Sequence, residues 1–378
     1  MKIILALALL ILTTQCSEKQ TETSVHAKTD TTATGLRYAE GFKVSYRGTI
    51  KMVEVGMPYP GARAGFKYLL VPKGESVPKD TEGARVIRIP LESIVCTSTS
   101  HIPLLDYLGE TDKLTGFPST DYISSDKVRA RIDSGRVLDL GVDKSMNLER
   151  LVVLKPEVVM GYTMTSDYGQ FKKMEELGVS VVINAEYLEK HPLGRAEWIK
   201  FMALFFNKEH QADSIFNVIE ESYLETMRLA QSATKKPTVL SGIVYGDAWF
   251  MPGGQNYASR ILKDAGCTYL WEDDPSHGFL ELSFESVFEK AHAADLWIGV
   301  GSNKTIAELQ ALDHRYTKFN PLIQRHVYTS DARHGAKGGS EFLELGYLRP
   351  DIILKDLVRI AHPELSPNHE LYFHKRLD

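Results

Sequence analysis

One long amphipathic stretch between two runs of alternating strands and helices predicts an α/β protein. The expected architecture is two Rossmann-like lobes joined by one long α-helix, with a small N-terminal β-rich extension. The joining stretch runs from His210 to Ser232, HQADSIFNVIEESYLETMRLAQS. Ile215, Val218, Ile219, Tyr223 and Met227 recur in it at three- and four-residue steps, one apolar face of a helix. No Pro or Gly interrupts it, so it should extend ~35 Å at ~1.5 Å per residue. On either side lie a segment ending in VSVVINAEY and one opening with KKPTVLSGIVYG. A chain of 378 residues is too long for one ordinary core.

In chain order, Lys2 precedes the apolar run Ile3 to Leu12, a signal peptide too short to span a bilayer. Thr13-Thr14-Gln15-Cys16 follows. A Cys directly after the apolar core resembles a bacterial lipoprotein signal, although Gln15 stands where a small residue is usual. Residues 1–16 are therefore expected to be a signal with Cys16 as the lipidated residue. Residues 17–36, rich in Thr, Ser, Lys and Glu, are expected to be a disordered tether. Residues 37–84 hold the strand-like runs FKVSY, IKMVEV and FKYLLV, separated by turn signals, and form the β-rich extension.

The N-terminal lobe is expected over 85–190. VIRIPLESIVCTSTSHIPLLDYLG reads as strand, polar turn and helix, with Ser98, Thr99 and Ser100 at the helix start. LTGFPSTDYISS reads as a strand entering a loop with exposed aromatics, Phe117 and Tyr122. LKPEVVMGY is a strand ending at Tyr162, and MEELGVSVVI adds a helix and a strand. Residues 191–232 form the helical linker, which RAEWIKFMALFF opens. The C-terminal lobe, 233–378, repeats the theme with PTVLSGIVYG as a strand, ASRILKDAG as a helix, and FLELGYLRPDIILKDLVRI as the closing helical region. Open parallel sheets hold ligands beyond the carboxyl ends of their strands. Those ends carry Ser98 to His101, Phe117 to Tyr122, Tyr162, Tyr245 to Trp249, and Ser330 to Lys337.

Composition and motif exclude several classes. With 43% hydrophobic and 25% charged residues the chain is that of a soluble globular protein. A net charge of -5 without a long basic run argues against nucleic acid. Cys96 and Cys267 fall in different lobes, where a disulfide would lock the hinge, so both are expected to be buried free thiols. No G-x-S-x-G elbow, phosphate-binding loop or dinucleotide fingerprint occurs, and neighbouring Ser98, Ser100 and His101 do not make a triad. An enzyme is not expected, nor a resident cofactor. A free Zn or Mn receptor needs three or four ligands from both lobes. His101 is well placed, but no second His occurs between Ile102 and Lys190, which leaves Asp121 or Asp143.

Four features taken together resemble the helix-linked substrate-binding proteins of ABC importers, over about Arg85 to Leu365. They are the strand entering STSH, the run NLERLVVLKPEVVMGY, the single long helix, and the ending FLELGYLRPDIILKDLVRIAHPEL. That family serves ferric siderophores, haem and vitamin B12. The resemblance implies a monomeric lipoprotein in the periplasm or on the cell surface, holding a metal chelate between its lobes. It would deliver the chelate to a permease dimer with its ATPase subunits. Glu149 in NLER and Glu285 in LSFES match the carboxylates that dock into permease Arg pockets, where charge-assisted bonds set register. Read without the family, each is a first-turn Glu favouring a helix N-terminus. Tyr122, Tyr162 and Trp249 match cleft aromatics, which offer a flat face with a polar tip. Tyr245, Tyr257 and Trp271 are secondary candidates. The segment TSDARHGAK brings Arg333, His334 and Lys337, suited to an anionic chelate. Ser98, Ser100, His101 and Phe117 complete the expected ligand-binding set. The family's B12 binder has an aromatic where Asp143 stands, so an iron chelate is preferred over cobalamin.

Overall fold

A computed structural model of the chain describes residues 35–142 and 145–378. The expected signal, Cys16, the tether up to residue 34, and Asp143 lie outside the described residues. Among those described, no helix is long and apolar enough to cross a membrane.

The extension is a four-stranded sheet of β1 (Phe42–Arg47), β2 (Ile50–Val55), β3 (Phe66–Pro72) and β4 (Arg85–Ile89). The first three are antiparallel, and β4 runs parallel to β3. The strand at Arg85, expected to open the N-terminal lobe, thus belongs to this sheet. The lobe's own sheet is built from β5 (Ile94–Cys96), β6 (Leu114–Phe117), β7 (Leu138–Asp139), β8 (Val158–Gly161) and β9 (Val181–Ile183). Its order is β7-β6-β5-β8-β9, all parallel. Helices α1 (His101–Tyr107), α2 (Asp126–Asp133), α3 (Leu148–Leu154) and α4 (Gly169–Glu176) connect the strands. The extension covers the outer edge of this sheet. The buried Tyr68 hydroxyl on β3 accepts the Ile183 N–H of β9 at 3.0 Å, which protects an otherwise open strand edge.

The linker is α5 (Pro192–Leu204) followed by the 23-residue α6 (Glu209–Gln231). Helix α6 buries Ala212, Phe216, Ile219, Tyr223 and Ala230 along one stripe. Val218, expected on that face, is 67% exposed. Phe216 takes the buried position instead, so the apolar stripe is rotated from the one read off the sequence. The chain enters the fold on α5. The buried Glu197 carboxylate accepts the backbone N–H groups of Arg37, Tyr38 and Ala39, at 2.8 to 3.0 Å. Glu189 accepts those of Glu40 and Gly41. Two carboxylates thereby satisfy five consecutive donors that no sheet or helix pairs.

The C-terminal lobe has two sheets. One joins β10 (Thr238–Ser241), β13 (Thr268–Tyr269), β15 (Leu296–Ile298), β16 (Val327–Thr329) and β17 (Lys375–Arg376) in the order β13-β10-β15-β16-β17, with only β17 antiparallel. The other is an antiparallel sheet of β11 (Ile243–Tyr245), β12 (Ala248–Pro252) and β14 (Phe279–Leu282). The run PTVLSGIVYG, expected as one strand, is cut at Gly242. That residue has φ 81°, and a Cβ there would lie 1.8 Å from the Phe250 carbonyl oxygen, so glycine is required at the corner. The remaining helices are α7 (Tyr257–Asp264), α8 (Phe284–Ala291), α9 (Ile306–Leu312), α10 (Asn320–Ile323), α11 (Glu341–Leu345) and α12 (Pro350–Ala361). One contiguous apolar cluster runs from Phe42 in the extension to Leu377, through the linker and both lobes. Cys96 and Cys267 are buried and unpaired.

Candidate functional site

In the N-terminal sheet the chain fills β5, β6 and β7 on one side, then returns to place β8 and β9 on the other. The switch lies between β5 and β8, and an open α/β sheet forms its crevice at the carboxyl ends of such a pair. Thr97 directly follows β5 and Tyr162 directly follows β8; the Tyr162 N–H donates to Thr97 Oγ1 at 3.2 Å. A cavity of about 320 Å³ opens there. Thr97, Ser98, Thr99 and Tyr162 floor it, Phe117, Pro118, Ser119 and Tyr122 form one side, and Ser340 and Leu343 of the C-terminal lobe form the other. A larger concavity of about 880 Å³, among Lys235, His326 and Arg376, sits at the opposite, amino ends of β10, β15 and β16. The chain topology favours the smaller cavity as the ligand cleft, because it lies at the switch point.

Behind the floor runs a polar chain. Ser98 Oγ lies 2.8 Å from Ser100 Oγ, and the Ser100 hydroxyl donates to Glu186 Oε1. Ser100 has a single hydroxyl proton, committed to Glu186. With Glu186 ionised, Ser98 therefore donates its own proton to Ser100 and turns its lone pairs to the cleft, an acceptor suited to an N–H or O–H on the ligand; a protonated Glu186 can donate to Ser100 and free the Ser98 hydroxyl to donate. Burial pushes the Glu186 carboxyl up to about 7, against the lowering effect of the Ser100 hydroxyl. His101 is fully buried, and burial pushes its imidazole down to about 3. Its Nε2 is 3.8 Å from Glu186 Oε2, too far for a hydrogen bond, and both atoms lack hydrogen-bond partners. His101 is thus a neutral residue beneath the cleft and does not line it.

The other sequence candidates divide. Tyr122 is 65% exposed at the mouth. Tyr162 is half-buried, with its ring edge-on to His101 and Tyr187. Phe117, expected to be exposed, is 2% exposed, although it still reaches the cavity wall. Trp249 is not at the cleft. It is fully buried, stacks on Trp297 at 5.4 Å, and donates its indole N–H to the Ser241 carbonyl at 3.0 Å. Trp249 lies near the start of β12, and its side chain packs among Trp297, Tyr316 and Phe319 in the core of the C-terminal lobe. Tyr245 is 79% exposed, near the turn between β11 and β12, and is not among the cavity residues. The Arg333 guanidinium lies 4.2 Å over the Tyr372 ring, and His334 Nε2 is 2.8 Å from Asp331. Neither lines the cavity, but their loop delivers Ser340 to it.

Glu149 and Glu285 are both exposed in the first turns of α3 and α8, behind the caps Asn147 and Ser283. Glu285 pairs with Arg315 at 3.1 Å. An exposed pair of this kind contributes little to stability. Among the described residues no group of three or more His, Cys, Asp or Glu side chains is placed to hold a metal ion.

Sequence reasoning missed Glu186, Ser340, Leu343 and Glu344. A signal existed for the last three. The glycines of GAKGGS mark a backbone that approaches another closely, and the residues after them close the cavity.

Residues 94–334 match the model of a family described as periplasmic binding protein. An uncharacterized lipoprotein of Methanocaldococcus jannaschii is 25% identical over 362 residues, covering 89% of this chain and 84% of its own. A possible iron-binding, periplasmic solute-binding protein of Staphylococcus epidermidis has a similar fold, with TM-score 0.56 and 17% identity over 72% of this chain and 100% of its own. A periplasmic heme-binding protein of Roseiflexus gives TM-score 0.53 and 17% identity over 73% of this chain and 99% of its own. Its two parallel-sheet lobes, its linking helix and the match over most of its length place this chain in the periplasmic binding protein family.

Proposed function

We propose that the protein is an extracytoplasmic solute-binding lipoprotein of an ABC importer that captures a ferric siderophore-like chelate in the inter-lobe cleft. The observation that carries this reading is the cavity at the β5/β8 switch point, walled on its far side by Ser340 and Leu343 of the other lobe. A ligand there touches both lobes and ties their relative position to occupancy. Ser98 offers an acceptor, Tyr122 and Tyr162 offer flat faces with hydroxyl tips, and the rest of the wall is small or apolar. Nothing in the arrangement supplies an activated nucleophile or a paired acid and base. The relatives' description as lipoproteins supports the anchor at Cys16. Arg333, His334 and Lys337 belong to the cleft segment by resemblance, and they would meet an anionic chelate only once the lobes part.

The mechanism follows from this geometry. The chelate enters between the lobes, and contacts from both sides favour the closed form. Glu149 and Glu285, one on each lobe, dock on Arg residues of the permease dimer. Separation of the lobes there releases the ligand. Haem is the second reading, favoured by the exposed Tyr122 ring at the mouth.

Calorimetric titration of the full chain against a ferric hydroxamate, a ferric catecholate, ferric citrate, haemin, cobalamin and Zn²⁺ tests the proposal. Saturable binding of one iron chelate, weakened at least about tenfold in Tyr162→Ala, is the expected result. Binding of Zn²⁺ alone, or of nothing in the panel, would overturn it.

A further inference from the structure

The C-terminal lobe touches the N-terminal lobe by more than side chains at the cavity. Glu344 on α11 is 3% exposed and reaches across to α2. Its Oε2 accepts the Ser124 N–H at 2.6 Å and its Oε1 the Ser125 N–H at 2.9 Å. Each oxygen has its own donor. Ser125 is the N-cap of α2, so the carboxylate also faces the positive end of that helix's dipole.

Two glycines sit in the same seam. A Cβ on Gly339 would lie 2.0 Å from the Tyr122 carbonyl oxygen, and one on Gly335 would lie 2.4 Å from Ser124 Cα. The loop is folded on itself, with the Gly335 N–H donating to the Gly339 carbonyl at 2.8 Å. The two main chains meet with no room for any side chain between them.

We propose that Glu344 is a positioning residue for the cleft, a latch that holds the C-terminal wall of the cavity against the N-terminal lobe. Ser340 begins the turn that carries Glu344, and Leu343 precedes it, so the hydrogen bonds to Ser124 and Ser125 set where both cavity residues stand. A ligand larger than the closed cavity enters only after these two bonds break. Its affinity then carries the cost of opening, as for any protein whose competent state is a minor population. The latch rests on the cleft reading for its purpose, but the seam it holds can be tested without any ligand and can fail on its own.

Hydrogen exchange of the full chain without ligand, read by mass spectrometry, is the test. In Glu344→Ala, amides of 122–126 and 335–343 should exchange at least about tenfold faster, while β5, β8, β10 and β15 keep their protection. Gly339→Ala, which leaves the carboxylate in place but forces the main chains apart, should raise exchange at the same two segments. Glu344→Gln keeps one good acceptor and should give a smaller rise at the same places. Unchanged exchange at 122–126 in Glu344→Ala overturns the latch. So does a uniform loss of protection across both lobes in Glu344→Gln, because that marks a general fold contribution and not a seam.

Discussion

Replacing Glu186 by Gln should make the protein less stable than the parent at low pH and more stable at high pH, with the crossing between. The sign follows from the buried carboxyl. Its ordinary value of 4.5 is raised to about 7 by burial. The folded state therefore holds the proton more tightly than the unfolded chain does. The stabilisation is full below pH 4.5 and is lost as pH rises through 7. Over that window the displacement corresponds to about 3 kcal/mol. The amide that replaces the carboxyl cannot ionise, so the variant escapes this loss, although it buries one more N–H donor than the protonated carboxyl has, at about 1 kcal/mol. At pH 8.5 the variant should exceed the parent by about 2 kcal/mol, a rise of roughly 0.7 M in the urea midpoint if m is near 3 kcal/mol/M. At pH 4.5 the parent should lead by about 1 kcal/mol. The difference between the two curves matters more than either alone. His101, pushed down to about 3, gives a slope of opposite sign between pH 3 and 6.5, and Glu344 is raised to about 7 as Glu186 is. Both are present in parent and variant and largely cancel. A difference curve that is flat from pH 4.5 to 8.5 would refute the reasoning, because Glu186 would then have to ionise as freely folded as unfolded.

Other expectations concern placement and docking. Trp249→Ala should cost about 3–5 kcal/mol of stability, seen in denaturant unfolding, and should leave chelate affinity within about twofold at a temperature where the variant is folded. Ser98→Ala should weaken a ligand that presents an N–H or O–H by about 1 kcal/mol, measured by calorimetry, with unfolding almost unchanged. The double replacement Glu149→Ala with Glu285→Ala should abolish uptake in cells while purified protein binds its chelate as before; loss of binding as well would mean that neither residue has the docking role. Glu197→Ala removes the acceptor for three backbone donors and should expose residues 37–41 to fast exchange and to protease, with the parallel sheets still protected.

The two-lobe plan was legible because it rests on period and punctuation. A helix of this length shows in residues 210–232 whatever its neighbours do. Its buried face was less legible: the apolar residues do not say which stripe meets α5 and α12, and Val218 fell on the wrong side. The extension was visible as strands, but the sequence did not show that Arg85–Ile89 joins it, since strand partners are set by tertiary contact and not by local pattern. At the cleft, strand ends gave Ser98, Tyr122 and Tyr162. Trp249 misled because it lies near the start of a strand in a second, antiparallel sheet and packs into the core of its lobe, and only Gly242 hinted at the turn. Glu186 and Glu344 were invisible for a different reason. A buried carboxylate looks like any surface Glu until the donors it meets, from residues 86 and 220 positions away, are in place.

The capture of residues 37–41 by Glu189 and Glu197 has a mechanical consequence. Any force arriving from the amino-terminal side of Gly35 is delivered to α5, at the root of the linker, and to neither parallel sheet. A pull applied at a pivot has almost no lever arm about that pivot. A load on the chain ahead of Gly35, whichever way it pulls, is then borne by the carboxylates of Glu189 and Glu197 and leaves the pairing of both parallel sheets untouched.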